Sequence, residues 1–179
     1  MTQPLVLFSH GQESGPWGTK ITALAALVRA QGFAADSIDY QGIADPSARV
    51  EKLVGSCAAI AESPEFASGV SILLVGSSMG GHVSAAAASQ VPQASALLLM
   101  APAFYMPGYE ALTPTPTSLP TVIVHGWHDD IVPVENSIRY ARTGSAKLVI
   151  VNDDHRLTAS VDTVGEELIK LLTLARGTP

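Results

Sequence analysis

Two serines lie side by side in the stretch LLVGSSMGGH, residues 73–82, where an apolar run gives way to glycines. A serine hydroxyl is a poor nucleophile until a base takes its proton. Chemistry at this pair therefore requires an imidazole brought to one serine and a carboxylate to orient that imidazole. Gly76, Ser78 and Gly80 fit a G-x-S-x-G pattern, a strained tight turn in which small residues two before and two after the serine let the backbone reverse. Ser77 would need a glycine at position 75, where the chain has valine, so Ser78 is the candidate. Two phosphate-binding readings of the same glycines fail. A Walker loop needs a lysine, and none lies between Gly76 and Gln90; a G-x-G-x-x-G fingerprint breaks at its second glycine.

Five histidines compete for the base: His10, His82, His125, His128 and His155. Only His155, in VNDDHRL, follows both a late apolar run and a plausible acid. His82 is expected to pack or cap, His125 to stabilise a turn, and His128 to line the mouth of the site or lie in a plain loop. For the acid, HGWHDDIVP offers adjacent Asp129 and Asp130. Only one of them can face the imidazole, because neighbouring loop side chains point in different directions. Asp153 and Asp154 are expected to be solvated.

The elements that must position these groups are legible as alternating patterns. Apolar runs at Leu5 to Phe8, Ile72 to Val75, Leu97 to Met100, Val122 to Val124 and Leu148 to Val151 are continuous, as in strands buried on both faces. A more polar run, Ser37 to Tyr40, reads as a sixth strand nearer an edge. Helical stripes lie between them: Ile21 to Val28, Val50 to Ile60, Met79 to Gln90, Val134 to Ala141 and Val161 to Leu174. Strand alternating with helix predicts an α/β fold, a three-layer α/β/α sandwich on a mainly parallel sheet of about six strands. In such a sheet ligands gather at the carboxyl ends of the strands, where Gly76 to Gly80 sits. Ala101 to Pro120 holds five of the twelve prolines and reads as a loop over one end of the sheet.

Composition sets the context. A chain of 179 residues is about the length of one domain, so residues 1–179 are expected to form a single unit. The net charge of −6, with ten scattered basic residues, argues against nucleic acid as a partner. Cys57 is the single cysteine, and no Cys/His spacing resembles a metal site. The segment MTQPLVLFSH lacks a basic leader, and no apolar run approaches membrane-spanning length. A cytoplasmic protein without membrane contact is the expectation.

With these residues in place, HGWHDDIVP resembles the H-G-x-x-D-x-x-V-P segment of the α/β-hydrolase superfamily, and GSSMGG its nucleophile elbow. Leu7-Phe8-Ser9-His10-Gly11-Gln12 is similar to the family's H-G-x turn after a central strand. The resemblance spans nearly the whole chain and is to the small bacterial members. It implies Asp129 as the triad acid, with Asp130 the runner-up. It also implies oxyanion-hole amides from Gln12 and Met79, a loop-shaping His10, and no metal or organic cofactor. Compared with larger members, the chain begins almost at the central strand and has no helical cap, so the site is expected to be open. Its walls are expected from Gln12 to Trp17, Met79, Phe104, Tyr105, Met106, Tyr109 and Trp127. Those stretches hold no Lys or Arg, which suits an uncharged acyl group.

The expected activity is that of a serine hydrolase, carboxylesterase-like, cleaving a carboxylic ester or thioester of a small-molecule substrate through an acyl-enzyme. The alternatives are a noncatalytic binding module on the same fold, or an amidase or peptidase using the same triad.

Overall fold

The structure is a computed structural model describing residues 3–175. Six strands, β1 (Gln3–Ser9), β2 (Ala34–Ile38), β3 (Val70–Ser77), β4 (Ala94–Met100), β5 (Thr121–Gly126) and β6 (Lys147–Val151), form one sheet in the order β2-β1-β3-β4-β5-β6. Every adjacent pair is parallel. The carboxyl ends of β1, β3, β4, β5 and β6 thus share one edge.

The apolar runs bury both faces of the inner strands because alternate residues serve opposite layers. Leu5, Leu7, Ile72, Leu74, Leu97, Leu99 and Ile123 pack with α2 (Pro46–Glu62), α3 (Met79–Ala87) and α4 (Val134–Thr143) through Leu53, Cys57, Val83 and Tyr140. Val6, Phe8, Leu73, Val75, Leu98, Met100, Val122 and Val124 pack with α1 (Thr19–Ala30) and α5 (Val161–Ala175) through Leu24, Val28, Val164, Leu168 and Leu171. This is the three-layer sandwich expected from the alternation.

Two strand assignments need correction. The polar strand runs over Ala34–Ile38, starting three residues before and ending two before the expected Ser37 to Tyr40, although it does lie at an edge. Tyr40 is fully buried but lies past the strand, its amide donating to His10 Nε2 instead of to a ladder. β6, expected to be covered on both faces, is the other edge strand and leaves Ile150 exposed. Residues 101–120 form the expected loop, interrupted by a single 3-10 turn at Glu110–Leu112. Among the described residues no helix is long and apolar enough to cross a membrane. No group of three or more His, Cys, Asp or Glu among them is placed to hold a metal ion. The ends of the expected 1–179 unit, residues 1–2 and 176–179, lie outside the described residues.

Candidate active site

Ser78 sits between β3 and α3 with φ 55° and ψ −119°, in the left-handed half of the backbone map that a side chain ordinarily avoids. Its neighbours make the turn possible by having no side chain. A Cβ on Gly76 would collide with the Gly80 carbonyl, and one on Gly80 with the carbonyls of Ser9 and His10. The turn is strapped to β4: the Ser78 amide donates to Met100 O at 2.9 Å, and the Ser78 carbonyl accepts from Ala103 N at 3.0 Å. Ser77 belongs to β3, paired in register with Met100.

The loop after β1 lies against this turn. A Cβ built on Gly11 would stand 3.4 Å from Ser78 Cβ. His10 is fully buried and shapes that loop: its Nε2 accepts from Tyr40 N at 2.8 Å, so its protonated Nδ1 donates to Gly11 O at 2.7 Å. The Met79 amide is the first of α3, where no intrahelical acceptor exists. Neither it nor the Gln12 amide has an acceptor among the described residues. Two unpaired N–H groups beside a serine suit a developing oxyanion.

Beyond β5, the Asp129 side chain is fully buried, accepts three hydrogen bonds and has a second imidazole at ion-pair distance. Oδ1 takes the amides of Ile131 (2.9 Å) and Val132 (2.8 Å). Oδ2 takes His155 Nδ1 at 2.7 Å and lies 2.9 Å from His125 Nε2. Burial alone would raise the Asp129 pKa. The Val132 amide, His155 and the Ile131 amide outweigh it, and the carboxyl stays below its ordinary value. Because an ionised carboxylate only accepts, Nδ1 of His155 carries the proton and Nε2 is left as the base. Asp130 is exposed, so the structure brings His155 to Asp129.

His155 is held by its own loop. Leu157 N donates to Asp154 O at 3.2 Å, and Leu157, at φ 54°, plugs into the core with no exposure. Gly126 lets β5 approach: a Cβ there would overlap the carbonyls of Asp153 and Asp154. Asp154 is exposed as expected and Asp153 is half-buried, and both also build this loop; Asp153 Oδ2 accepts Ser160 N and Asp154 Oδ1 accepts Arg156 N, each at 2.8 Å. Lys20, from α1, donates to Arg156 O at 3.0 Å; burial pulls its pKa down to about 8 against the pull of Asp153, Asp129 and Asp154. Among the described residues Ser78 makes no hydrogen bond to His155. The two lie at the carboxyl edge, after β3 and β6.

One structural comparison decides the family. A solved structure of an alpha/beta-superfamily protein from Xanthomonas campestris superimposes with a TM-score of 0.81 at 32% identity, over 94% of this chain and 98% of that one. The chain belongs to the α/β-hydrolase superfamily. More distant members share the fold. A dienelactone hydrolase from Anabaena variabilis has 19% identity and a TM-score of 0.82, over 96% of this chain and 86% of that one. Est1E from Butyrivibrio proteoclasticus has 20% identity and a TM-score of 0.79, over 96% and 89%. No protein-family model matches the chain. No curated protein matches it either.

Within this α/β-hydrolase fold, the expected wall residues separate. Trp17 (44% exposed), Tyr109 (57%) and Trp127 (58%) stand on the surface. Tyr105 and Met106 are half-buried. Phe104 is not a wall: it has no exposure and stacks on Tyr140 with ring centroids 4.0 Å apart. The expectation of a neutral wall counted only the loops; Arg139 of α4 lies with its guanidinium 3.9 Å from the Tyr105 ring centroid. His82 is buried near Phe104, and His128 is an exposed loop residue bonded to Asn152 Oδ1 at 2.8 Å. His125 goes beyond the turn-stabilising part expected of it. Fully buried, it accepts from Ser137 Oγ at Nδ1 (2.7 Å) and donates from Nε2 to Val132 O (2.9 Å), with Asp129 Oδ2 at 2.9 Å from the same nitrogen. Its position four residues before Asp129, at the last turn of a strand, is the sequence signal for this.

Proposed function

We propose that this α/β-hydrolase is a serine hydrolase of acyl bonds, acting on a carboxylic ester or thioester of a small, uncharged acyl group. The observation that carries the reading is the buried Asp129 paired with His155 at the sheet edge where Ser78 occupies its strained turn. Ser78 Oγ attacks the carbonyl carbon as its proton passes to His155 Nε2, and the carbonyl electron pair moves onto oxygen. The amides of Gln12 and Met79 hold that oxyanion. Its collapse breaks the bond to the leaving alkoxide or thiolate, which takes the proton from His155 and leaves acyl-Ser78. Water then attacks the ester, giving its proton to Nε2; the acid departs and Ser78 recovers its hydrogen. Asp129 keeps Nδ1 protonated throughout and stabilises the transient imidazolium.

Est1E, a distant neighbour in fold, has been solved with ferulic acid bound, which accords with acyl chemistry on this architecture. The deciding experiment is labelling of the whole chain, residues 1–179 read as one domain, with a fluorophosphonate, followed by mapping of the modified peptide. The adduct is expected on Ser78. An adduct on Ser77 would overturn the assignment of the nucleophile, and no adduct would favour a noncatalytic binding module.

A further inference from the structure

Arg49 is a buried cation without a counter-ion. It lies in the first turn of α2, is 2% exposed, and among the described residues has no carboxylate within ion-pair distance. A charge in that setting is costly unless its donors are used. Arg49 spends them on backbone carbonyls: Nε on Ile43 O at 2.6 Å, and Nη1 on both His10 O and Gly11 O at 3.3 Å. Its guanidinium also lies 5.2 Å from the Tyr40 ring centroid.

The Gly11 carbonyl belongs to the peptide whose N–H is that of Gln12. In a planar trans peptide the C=O and N–H point in opposite directions. Two donors on Gly11 O, Arg49 Nη1 and His10 Nδ1, therefore fix the direction of the Gln12 N–H. Donors on the carbonyl also polarise the amide and strengthen its N–H as a donor. A Cβ built on Gly11 would stand 3.4 Å from Ser78 Cβ and 3.6 Å from Ser77 O, so this peptide lies beside the nucleophile turn.

We infer that Arg49 is a positioning residue for the reaction: through the Gly11 carbonyl it aims and polarises the Gln12 amide at the oxyanion. The inference rests on the reading of Ser78 and Gln12 given above. Its effect belongs to the transition state, since the charge it supports exists on oxygen only there. Substrate binding should scarcely register its loss.

The test compares Arg49→Met and Arg49→Lys with the wild-type chain on a neutral ester, with active sites counted by complete fluorophosphonate titration. Affinity for a trifluoromethyl ketone, which adds to serine to form an oxyanion adduct, is measured alongside. Loss of one oxyanion donor outright lowers kcat by about 10²–10³-fold, so a misaimed donor in Arg49→Met is expected to lower kcat per titrated site by about 10- to 100-fold. KM is expected to stay within about twofold, and the ketone to weaken by the same factor as kcat falls. Arg49→Lys, which returns a cation and a donor, is expected to recover part of both. A purely structural arginine would lower the melting temperature or the number of titratable sites while kcat per site and ketone affinity held, and that result overturns the inference. If Arg49→Met does not fold, a folded Arg49→Lys with wild-type kcat and ketone affinity overturns it equally. A wild-type chain with no titratable site overturns the underlying reading and this inference together; a titratable wild type with unchanged variants overturns the inference alone.

Discussion

His125 and His155 share one oxygen: Asp129 Oδ2 lies 2.9 Å from the first and 2.7 Å from the second. The two rings differ in surroundings. His125 has no exposure, and burial holds its pKa down against the raising effects of the Val132 carbonyl and Asp129; the His155 side chain is 19% exposed. One imidazole thus backs the carboxylate from inside while the other reaches the surface.

His125→Leu tests that backing. It removes the imidazole that lies 2.9 Å from the carboxylate and donates to Val132 O, a neutral bond worth about 0.5–1.5 kcal/mol, and strands the Ser137 hydroxyl. Turnover is expected to fall about tenfold with a lower melting temperature, whereas a passive turn residue would lose stability alone. Steady-state kinetics corrected for active-site titre separates the two.

The paired aspartates are expected to part sharply. Asp129→Asn replaces an acceptor of three hydrogen bonds with a group that can stabilise the wrong imidazole tautomer, at an expected loss of about 10⁴-fold in kcat. Asp130→Asn changes an exposed side chain and is expected to leave kcat within about twofold. The reverse ranking in kcat measurements would transfer the role to Asp130.

Gly126→Ala places a methyl group against the carbonyls of Asp153 and Asp154, in the loop that carries His155. Overpacking of this kind costs about 1–3 kcal/mol. Displacement of His155 from Asp129 is expected to depress kcat by more than the melting temperature suggests. A variant that melts lower yet turns over normally would show that the loop yields without moving the imidazole.

Acid should destabilise the fold before Asp129 protonates. Burial lowers the pKa of His10, His82 and His125 below the usual 6.5, so the unfolded chain takes up protons there that the native state refuses. That stability is complete above about pH 6.5 and is lost as pH falls below it. The Asp129 contribution runs through a lower window, below its ordinary 3.8. Thermal melts from about pH 7.5 to about pH 5 are expected to decline, and His82→Met, which removes one buried imidazole, to flatten the slope. An unchanged slope in that variant would exclude His82 as a contributor.

What the sequence revealed depended on how much each residue type commits. The continuous run Ile72 to Val75 lies in a doubly covered strand as read, and Gly76 and Gly80 announce a turn that side chains forbid. Leu148 to Val151 looks identical in composition yet lies at an edge, because coverage is decided by which strands flank it and not by its own residues. The polar strand was misplaced because buried Tyr40 looks like a strand residue, while its amide is taken by a histidine thirty positions away. Arg49 carried no mark at all. An arginine on an amphipathic helix reads as solvent-facing, and only the loop folded over it turns it inward. Asp129 and Asp130 could be ranked only through family likeness; direction in a loop is a property of the backbone.

Among the described residues, the non-glycine positions with left-handed backbone are Ser78, Ala101, Tyr105 and Leu157, which follow β3, β4 and β6 at the edge that holds the candidate site. Each such conformation is strained by about 1–3 kcal/mol and persists only because the surrounding sheet enforces it. On the reading proposed above, heat tolerance and turnover therefore compete for the same few residues of this chain. A laboratory selection for survival at high temperature alone would relax that rim first, and would enrich variants that are sturdier and slower.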